Sequence, residues 1–341
     1  MIRKLIDENK NAYKAALHVH TTISDGRMTP EEVRDAYYRA GYSVVAFTDH
    51  QVFVPHNDFT TADFVAINSV EFAYNLLPQE QGGWPYIHTY HLNMYAKDQH
   101  TDYTSVILPN AWLPQSRPYI TEAMKKNTFD PGYSVEGFNE WIRRANAEGF
   151  LVCYNHPLGN RHSYPDYAGL KGLWGIEWFN NGCYRDGMIE TIGPMDDLLH
   201  NGQQVFPIAA DDSHDLAGCF GGFCMIQADR LEYRTVMSAL EKGDFYSSNG
   251  PLLNSVTLDG TKLTVRTSGV RNIFVTTERR VSFTRTDTAA PVYEATFELA
   301  DYIEKSKMTE DSWDQAWFRI TLYDHAGKEA HTRAYFLKEY F

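Results

Sequence analysis

The chain is predicted to fold as a large α/β domain followed by a small all-β domain. Three observations predict this. From about 14 to 250, short apolar runs alternate with segments of helical period, the pattern of a mostly parallel sheet, closed or nearly closed. After Ser247-Ser248-Asn249-Gly250-Pro251 the helical period disappears and short alternating runs take over, the mark of antiparallel strands. Histidines and acids recur where apolar runs end, the position at which an α/β barrel presents its chemistry.

The elements follow in order. The first run, Ala15–Val19, holds His18 and leads to His20 and then Ser24-Asp25-Gly26. Residues two apart on a strand share a face, so the two imidazoles can grip one ion. Thr29-Pro30-Glu31-Glu32 opens a helix over Pro30–Ala40 with a Thr cap, Pro in the first turn and early acids, and Gly41 stops it. Further strands are expected at Val44–Thr48, Val65–Glu71, His88–Tyr95, Phe150–Asn155, Gly175–Phe179 and Val205–Ala210, with helices at Val135–Glu148, Met188–Asn201 and Tyr233–Lys242. Residues 97–133 break this rhythm. They contain Pro109, Pro114, Pro118 and Pro131 with little periodicity, and so long a loop in a compact domain reads as an insertion over the site. In the C-terminal part the expected strands are Lys262–Thr267, Asn272–Thr277, Val281–Thr284, Tyr293–Leu299 and Trp317–Leu322, with turns at Asp259-Gly260 and His325-Ala326-Gly327. The domains expected are 1–250 and 251–341.

Bulk properties narrow the function. At 341 residues, 43% hydrophobic and 14% aromatic, the chain can bury a large core. A net charge of −13 argues against a nucleic-acid sleeve or an anionic membrane surface. It leaves room for a small anionic substrate, because metal ions can invert the local field. The N-terminal residues contain no apolar signal segment, and no run approaches the roughly 18 apolar residues that span a bilayer. Cys153, Cys183, Cys219 and Cys224 form no CxxC pair. They read as buried, reduced thiols of a cytoplasmic protein.

Further ligand-type residues stand at or near the ends of runs: Thr48-Asp49-His50, Glu71, His91, His156, and Asp212 with His214. A lone histidine at a strand end is usually structural. So many imidazoles and carboxylates together are costly to bury without a cation. At these residues the chain resembles the PHP family, the polymerase and histidinol phosphatase superfamily. The motifs are His18-x-His20 with Ser24-Asp25-Gly26, Thr48-Asp49-His50, Glu71, His91, Asn155-His156-Pro157 and Asp212-Ser213-His214, over about 15–250. Phe245-Tyr246-Ser247-Ser248-Asn249-Gly250-Pro251 is similar to the end of the catalytic domain in members with a C-terminal β domain.

The resemblance implies a distorted (β/α)7 TIM-like barrel, a small antiparallel β-sandwich-like C-terminal domain and a trinuclear metal centre. By resemblance, His18, His20, Glu71 and Asp212 hold one ion, and Asp25, His50 and His214 a second. Glu71, shared, holds the third with His91 and His156. Asp25 stands where some members have histidine, which bears on which metal binds. The mixed N and O donors suit two or three Zn, Mn or Fe ions. Such ions supply a metal-bridged hydroxide for hydrolysis of a phosphate ester in a small phosphorylated metabolite. Asp49 is expected either to orient an imidazole or to cap a helix. Arg161 and His162 are expected either to meet a phosphate or to lie on a solvated loop. Glu177 and Asn180 are expected in the pocket wall, and the other seven histidines are mostly surface or structural. No GxSxG nucleophile motif is present. Hydrolysis of another ester or a carbamate is the alternative activity, and a non-catalytic metal-stabilised module the alternative of another class. An amidohydrolase would want a lysine at a strand end, and none stands there.

Overall fold

The computed structural model describes residues 2–76, 88–108, 113–126 and 128–341. The first part of the chain forms strands β1 (Ile2–Ile6), β2 (Ala12–Val19), β3 (Val44–Phe47), β4 (Val65–Leu76), β5 (His88–Ala96), β6 (Phe150–Tyr154), β7 (Gly175–Asn180), β8 (Phe206–Ala210), β9 (Phe223–Gln227) and β10 (Phe245–Ser248). Its helices are α1 (Pro30–Arg39), α2 (Glu122–Lys126), α3 (Val135–Ala147), α4 (Tyr164–Tyr167), α5 (Asn181–Arg185), α6 (Gly193–His200) and α7 (Tyr233–Lys242).

Strands β2 to β8 lie side by side in chain order. Pairs β2–β3, β3–β4, β6–β7 and β7–β8 are parallel, whereas β5 runs antiparallel to both β4 and β6. The two ends of this seven-strand run meet. Val19 bridges to Ser213, the Asp212 N–H donates to His18 O at 3.0 Å, and the His20 N–H donates to Ser213 O at 2.9 Å. Every residue of β3, β6 and β8 is buried, as expected of strands covered on both faces. Helix α3 buries Phe138, Trp141, Ile142 and Ala145, a stripe at helical spacing, in one cluster with Phe72, Leu92 and Val152.

The expected helix over Met188–Asn201 is shorter at its start. It begins at Gly193 with Pro194 in its first turn, where a missing N–H costs nothing. Described residues of the expected insertion at 97–133 pack on the core. Val106, Ile107 and Met124 belong to the main core, Trp141 Nε1–H donates to Val106 O at 2.7 Å, and Ser116 Oγ–H donates to Ile23 O at 2.8 Å. Pro109 lies outside the described residues.

The C-terminal part forms β11 (Leu253–Asp259), β12 (Lys262–Val270), β13 (Asn272–Thr277), β14 (Ser282–Thr286), β15 (Val292–Glu298), β16 (Trp317–Tyr323), β17 (Glu329–Thr332) and β18 (Tyr335–Phe336), with helices α8 (Ala300–Ser306) and α9 (Glu310–Gln315). The two helices were not expected from the sequence; Tyr302 and Ile303 anchor the first by burial. All strand pairings here are antiparallel. Val256, Leu263 and Val265 share an apolar cluster with Ile273, Val275, Phe318 and Ile320.

Two pairings cross the expected boundary at 250. Strand β1 pairs with β11, and β10 pairs with β17, so the large sheet continues from β9 and β10 into the C-terminal strands. The C-terminal unit thus takes one strand from the opposite end of the chain, which no local pattern in Ile2–Ile6 announces. Among the described residues no helix is long and apolar enough to cross a membrane.

Candidate metal centre

The ligand-type residues gather along one edge of β2–β8. His18 lies next to the end of β2 and His20 just beyond it, His50 lies just beyond β3, Glu71 lies within β4, His156 follows β6, and Asp212 and His214 follow β8. His91 is the exception to the strand-end reading: it is the fourth residue of β5. Because β5 is reversed, its beginning lies at the edge where its neighbours finish, and Ala73 of β4 pairs with His91. Glu71 is mid-strand because β4 runs on past the site, paired to β5.

The local backbone is shaped for this convergence. A Cβ on Gly26 would lie 2.6 Å from the His20 carbonyl, so only glycine lets the Asp25 loop fold back on β2. His156 and Asp212 have φ of 24° and 50°, a region few non-glycine residues adopt, Asp and His more readily than most. The Asp49 carboxylate accepts from the N–H and hydroxyl of both Thr21 and Ser24. It neither touches an imidazole through these bonds nor caps a helix; it ties the Asp25 loop to the end of β3.

The side chains form three overlapping groups: His18, His20, Glu71 and Asp212; His20, Asp25, His50 and His214; and Glu71, His91 and His156. Within each group the donor atoms all lie within 4.8 Å of one another. These are the residue sets that the family resemblance implies, with His20 added to the second. Glu71 Oε2 is 3.4 Å from His18 Nε2, 3.3 Å from His20 Nε2 and 3.1 Å from His50 Nδ1, and Oε1 is 3.0 Å from His91 Nδ1. Asp212 Oδ1 is 3.0 Å from His20 Nε2 and 3.3 Å from His18 Nε2. Asp25 reaches His214, His20 and His50 at 3.4 to 3.7 Å.

The carboxylates stabilise positive charge in the site, whether it is carried by protons or by ions. Burial raises the Glu71 and Asp212 carboxyls, yet the surrounding imidazoles win and hold both well below their ordinary range. Burial lowers His20 and His156, yet Asp212 and Glu71 push them up to about 10 and about 9. Burial takes His50 down to about 3, despite Glu71. His20 Nδ1, His50 Nδ1, both ring nitrogens of His156 and Glu71 Oε2 are buried without a hydrogen-bond partner. Such groups are costly unless something else satisfies them. Divalent ions fit these donors, since neutral imidazole and carboxylate oxygen are the ligands borderline transition metals take. Asp25, His50 and His91 open on a cavity of about 360 Å³ that Gln51, Asn75 and Leu113 help to line. A larger hollow of about 660 Å³ lies against α1 and touches none of the nine residues.

The remaining expected residues divide. Glu177 and Asn180 lie buried directly behind the groups, hydrogen-bonded to His18 and Asp212. His162 is a correction. Its ring nitrogens lie 2.8 and 2.5 Å from the hydroxyls of Tyr133 and Tyr154 and the side chain is buried, so it does not stand on a solvated loop. Arg161 is exposed beside it at φ 61°. Two further residues support the groups. Asn155 donates its amide to Glu71 Oε1 at 2.8 Å, and the position beside His156 was its signal. Buried Glu190 accepts from the Leu158 and Gly159 N–H groups, shaping the loop after His156, and nothing local marks it. The four cysteines are free and buried, and among the described residues none joins a metal-type group.

No family model matches the chain, and no curated protein does. Among solved structures it is similar to a two-domain protein from Bacteroides vulgatus containing a predicted PHP-like metal-dependent phosphoesterase, at 14% identity and a TM-score of 0.43, over 86% of this chain and 87% of that one. It is also similar to an amidohydrolase from Chromobacterium violaceum, at 16% identity and a TM-score of 0.36, over 59% and 87%. A third is a lesion-specific endonuclease from Pyrococcus furiosus, at 13% identity and a TM-score of 0.38, over 68% and 56%. The side-chain geometry itself agrees with the PHP resemblance read from the motifs.

Proposed function

We propose that the chain is a metal-dependent phosphoesterase of the PHP type, hydrolysing a phosphate ester of a small phosphorylated metabolite. One observation carries the reading: six imidazoles and three carboxylates meet in three overlapping groups, with several ring nitrogens buried and unpartnered. Two or three Zn, Mn or Fe ions held there would activate a water near neutral pH and offset charge on the phosphoryl oxygens. Of the chain's own residues, Asp25, His50 and His91 border the cavity and would meet the substrate first. Asp49 holds the Asp25 loop still, and Glu71 joins two of the groups. The net charge of −13 supports a small substrate drawn in by bound cations over a nucleic-acid polymer.

In this reading residues 1–250, arranged as a TIM-like barrel, carry the chemistry in the cytoplasm, and 251–341 form a supporting β unit. Hydrolysis of another ester or a carbamate is the second reading, since the same donor groups would serve an acyl carbon. Metal analysis with a panel of phosphomonoesters, phosphodiesters, carboxyl esters and carbamates tests the choice. Phosphoester turnover that a chelator abolishes is expected. Metal-loaded protein that turns over only acyl substrates would reject the phosphoesterase.

A further inference from the structure

We propose that Glu177 is a positioning residue for this centre. Its carboxylate sets the tautomer of His18, and through Asn180 it places Asp212. The inference rests on the reading of the groups as metal sites.

Glu177 lies on β7 and is fully buried. It belongs to none of the three groups, yet its oxygens serve residues of two of them. Oε1 is 2.7 Å from His18 Nδ1, and Oε2 accepts the His156 N–H at 3.1 Å and the Asn180 amide at 2.9 Å. Asn180 Oδ1 accepts the Cys183 N–H at 2.9 Å. That bond fixes which way the amide points, so its NH₂ also donates to Asp212 Oδ2 at 3.2 Å. One carboxylate thus reaches residues following or ending three other strands, β2, β6 and β8.

The chemistry follows from hydrogen-bond polarity. A carboxylate oxygen that accepts this bond needs a proton on His18 Nδ1. The lone pair of the neutral ring is then confined to Nε2, the atom 3.3 Å from Asp212 Oδ1 and 3.4 Å from Glu71 Oε2. Glutamine has the same shape but can donate. Its NH₂ would favour the opposite tautomer, with the proton on Nε2 where an ion must bind. A residue that merely fills space would tolerate Glu177→Gln; one that sets the tautomer would not.

The test reads metal uptake, not turnover. Full-length wild-type protein, Glu177→Gln and Glu177→Asp are stripped with a chelator and titrated with Co²⁺, following calorimetry and the visible spectrum. One binding step should weaken by about ten- to a hundredfold in Glu177→Gln, and Glu177→Asp should recover part of that loss. Uptake by Glu177→Gln with wild-type affinity and spectrum would overturn the proposal while leaving the metal sites standing. Wild-type protein that takes up no transition ion would overturn both. Should Glu177→Gln fail to fold, ¹⁵N NMR of the histidines in Zn²⁺-loaded wild-type protein decides. A proton on His18 Nδ1 is expected, and one on Nε2 overturns the proposal.

Discussion

Glu71 has five imidazoles around its two oxygens, from His91 at 3.0 Å to His156 at 3.7 Å. A carboxylate common to two ion sites lowers the repulsion between them. Glu71→Gln should therefore reduce kcat/KM about tenfold more than Glu177→Gln, a difference of about 1.4 kcal/mol in transition-state stabilisation. Steady-state kinetics on matched metal-loaded samples checks this, and equal losses would remove the shared role. The double substitution His18→Ala with His20→Ala takes two donors from one group and should cost at least one ion and nearly all hydrolysis. Elemental analysis beside the activity assay measures both. Part of this was legible in the chain: HxH, TDH and DxH are short-range patterns, and a strand's two-residue period puts paired donors on one face. The roles of Asp49 and His162 were not, because each depends on which distant hydroxyls and N–H groups the fold brings to it.

At the scale of single elements, the loop after β6 joins the site to the core. Burial pulls His162 down to about 4 from 6.5, further than nearby Asp166 can offset. Its folded value is depressed, so the unfolded chain binds the extra proton first. Its contribution to stability is full above about pH 6.5 and is lost as pH falls toward 4. At pH 5 that loss is up to about 2 kcal/mol. Urea unfolding of wild-type protein and H162Q at pH 7 and pH 5 should show a smaller acid-side drop in the variant. Helix α1 illustrates an element legible from sequence alone. Thr29 and Glu32 exchange both capping-box hydrogen bonds, Pro30 stands at the start, and Gly41 has φ 81°. Helix α6 starts five residues later than its pattern predicts, because Met188, Ile189 and Ile192 continue a helical spacing that the chain abandons before Gly193-Pro194.

Over the whole molecule, the C-terminal strands are joined to the rest by β1–β11 and β10–β17 pairing. A bidentate Arg319–Asp196 pair, at 2.8 and 2.7 Å, ties β16 to α6. Trp178, next to Glu177, packs on the ring of His331 at 4.3 Å between centroids. All nine residues of the groups precede residue 215. A chain ending near Gly250 should therefore keep its metal stoichiometry in whatever fraction stays soluble. It should also aggregate readily, because β10 is left as an open edge. Fewer ions per folded molecule would show that the C-terminal strands complete the centre. Arg319→Ala should cost about 2 kcal/mol of stability, since Asp196 loses a charged partner. Thermal unfolding would show the loss with little change in metal content.

Alternating apolar runs, helix caps and the donor spacings are written within a few residues of one another. The α/β class, most of the strands and the short donor pairs such as His18-x-His20 and Asp212-x-His214 were therefore determined by the sequence itself, whereas the sorting of nine donors into three sets was implied by the family resemblance. The tertiary structure alone decided what depends on contacts between remote segments. It reversed β5 so that His91 reaches the shared edge, sent β1 to the C-terminal sheet, and placed Glu177 behind His18 across 159 residues of chain. Strand direction and buried hydrogen-bond partners are set by which backbone and side-chain groups must be satisfied together once water is excluded, and no local window of sequence contains that information.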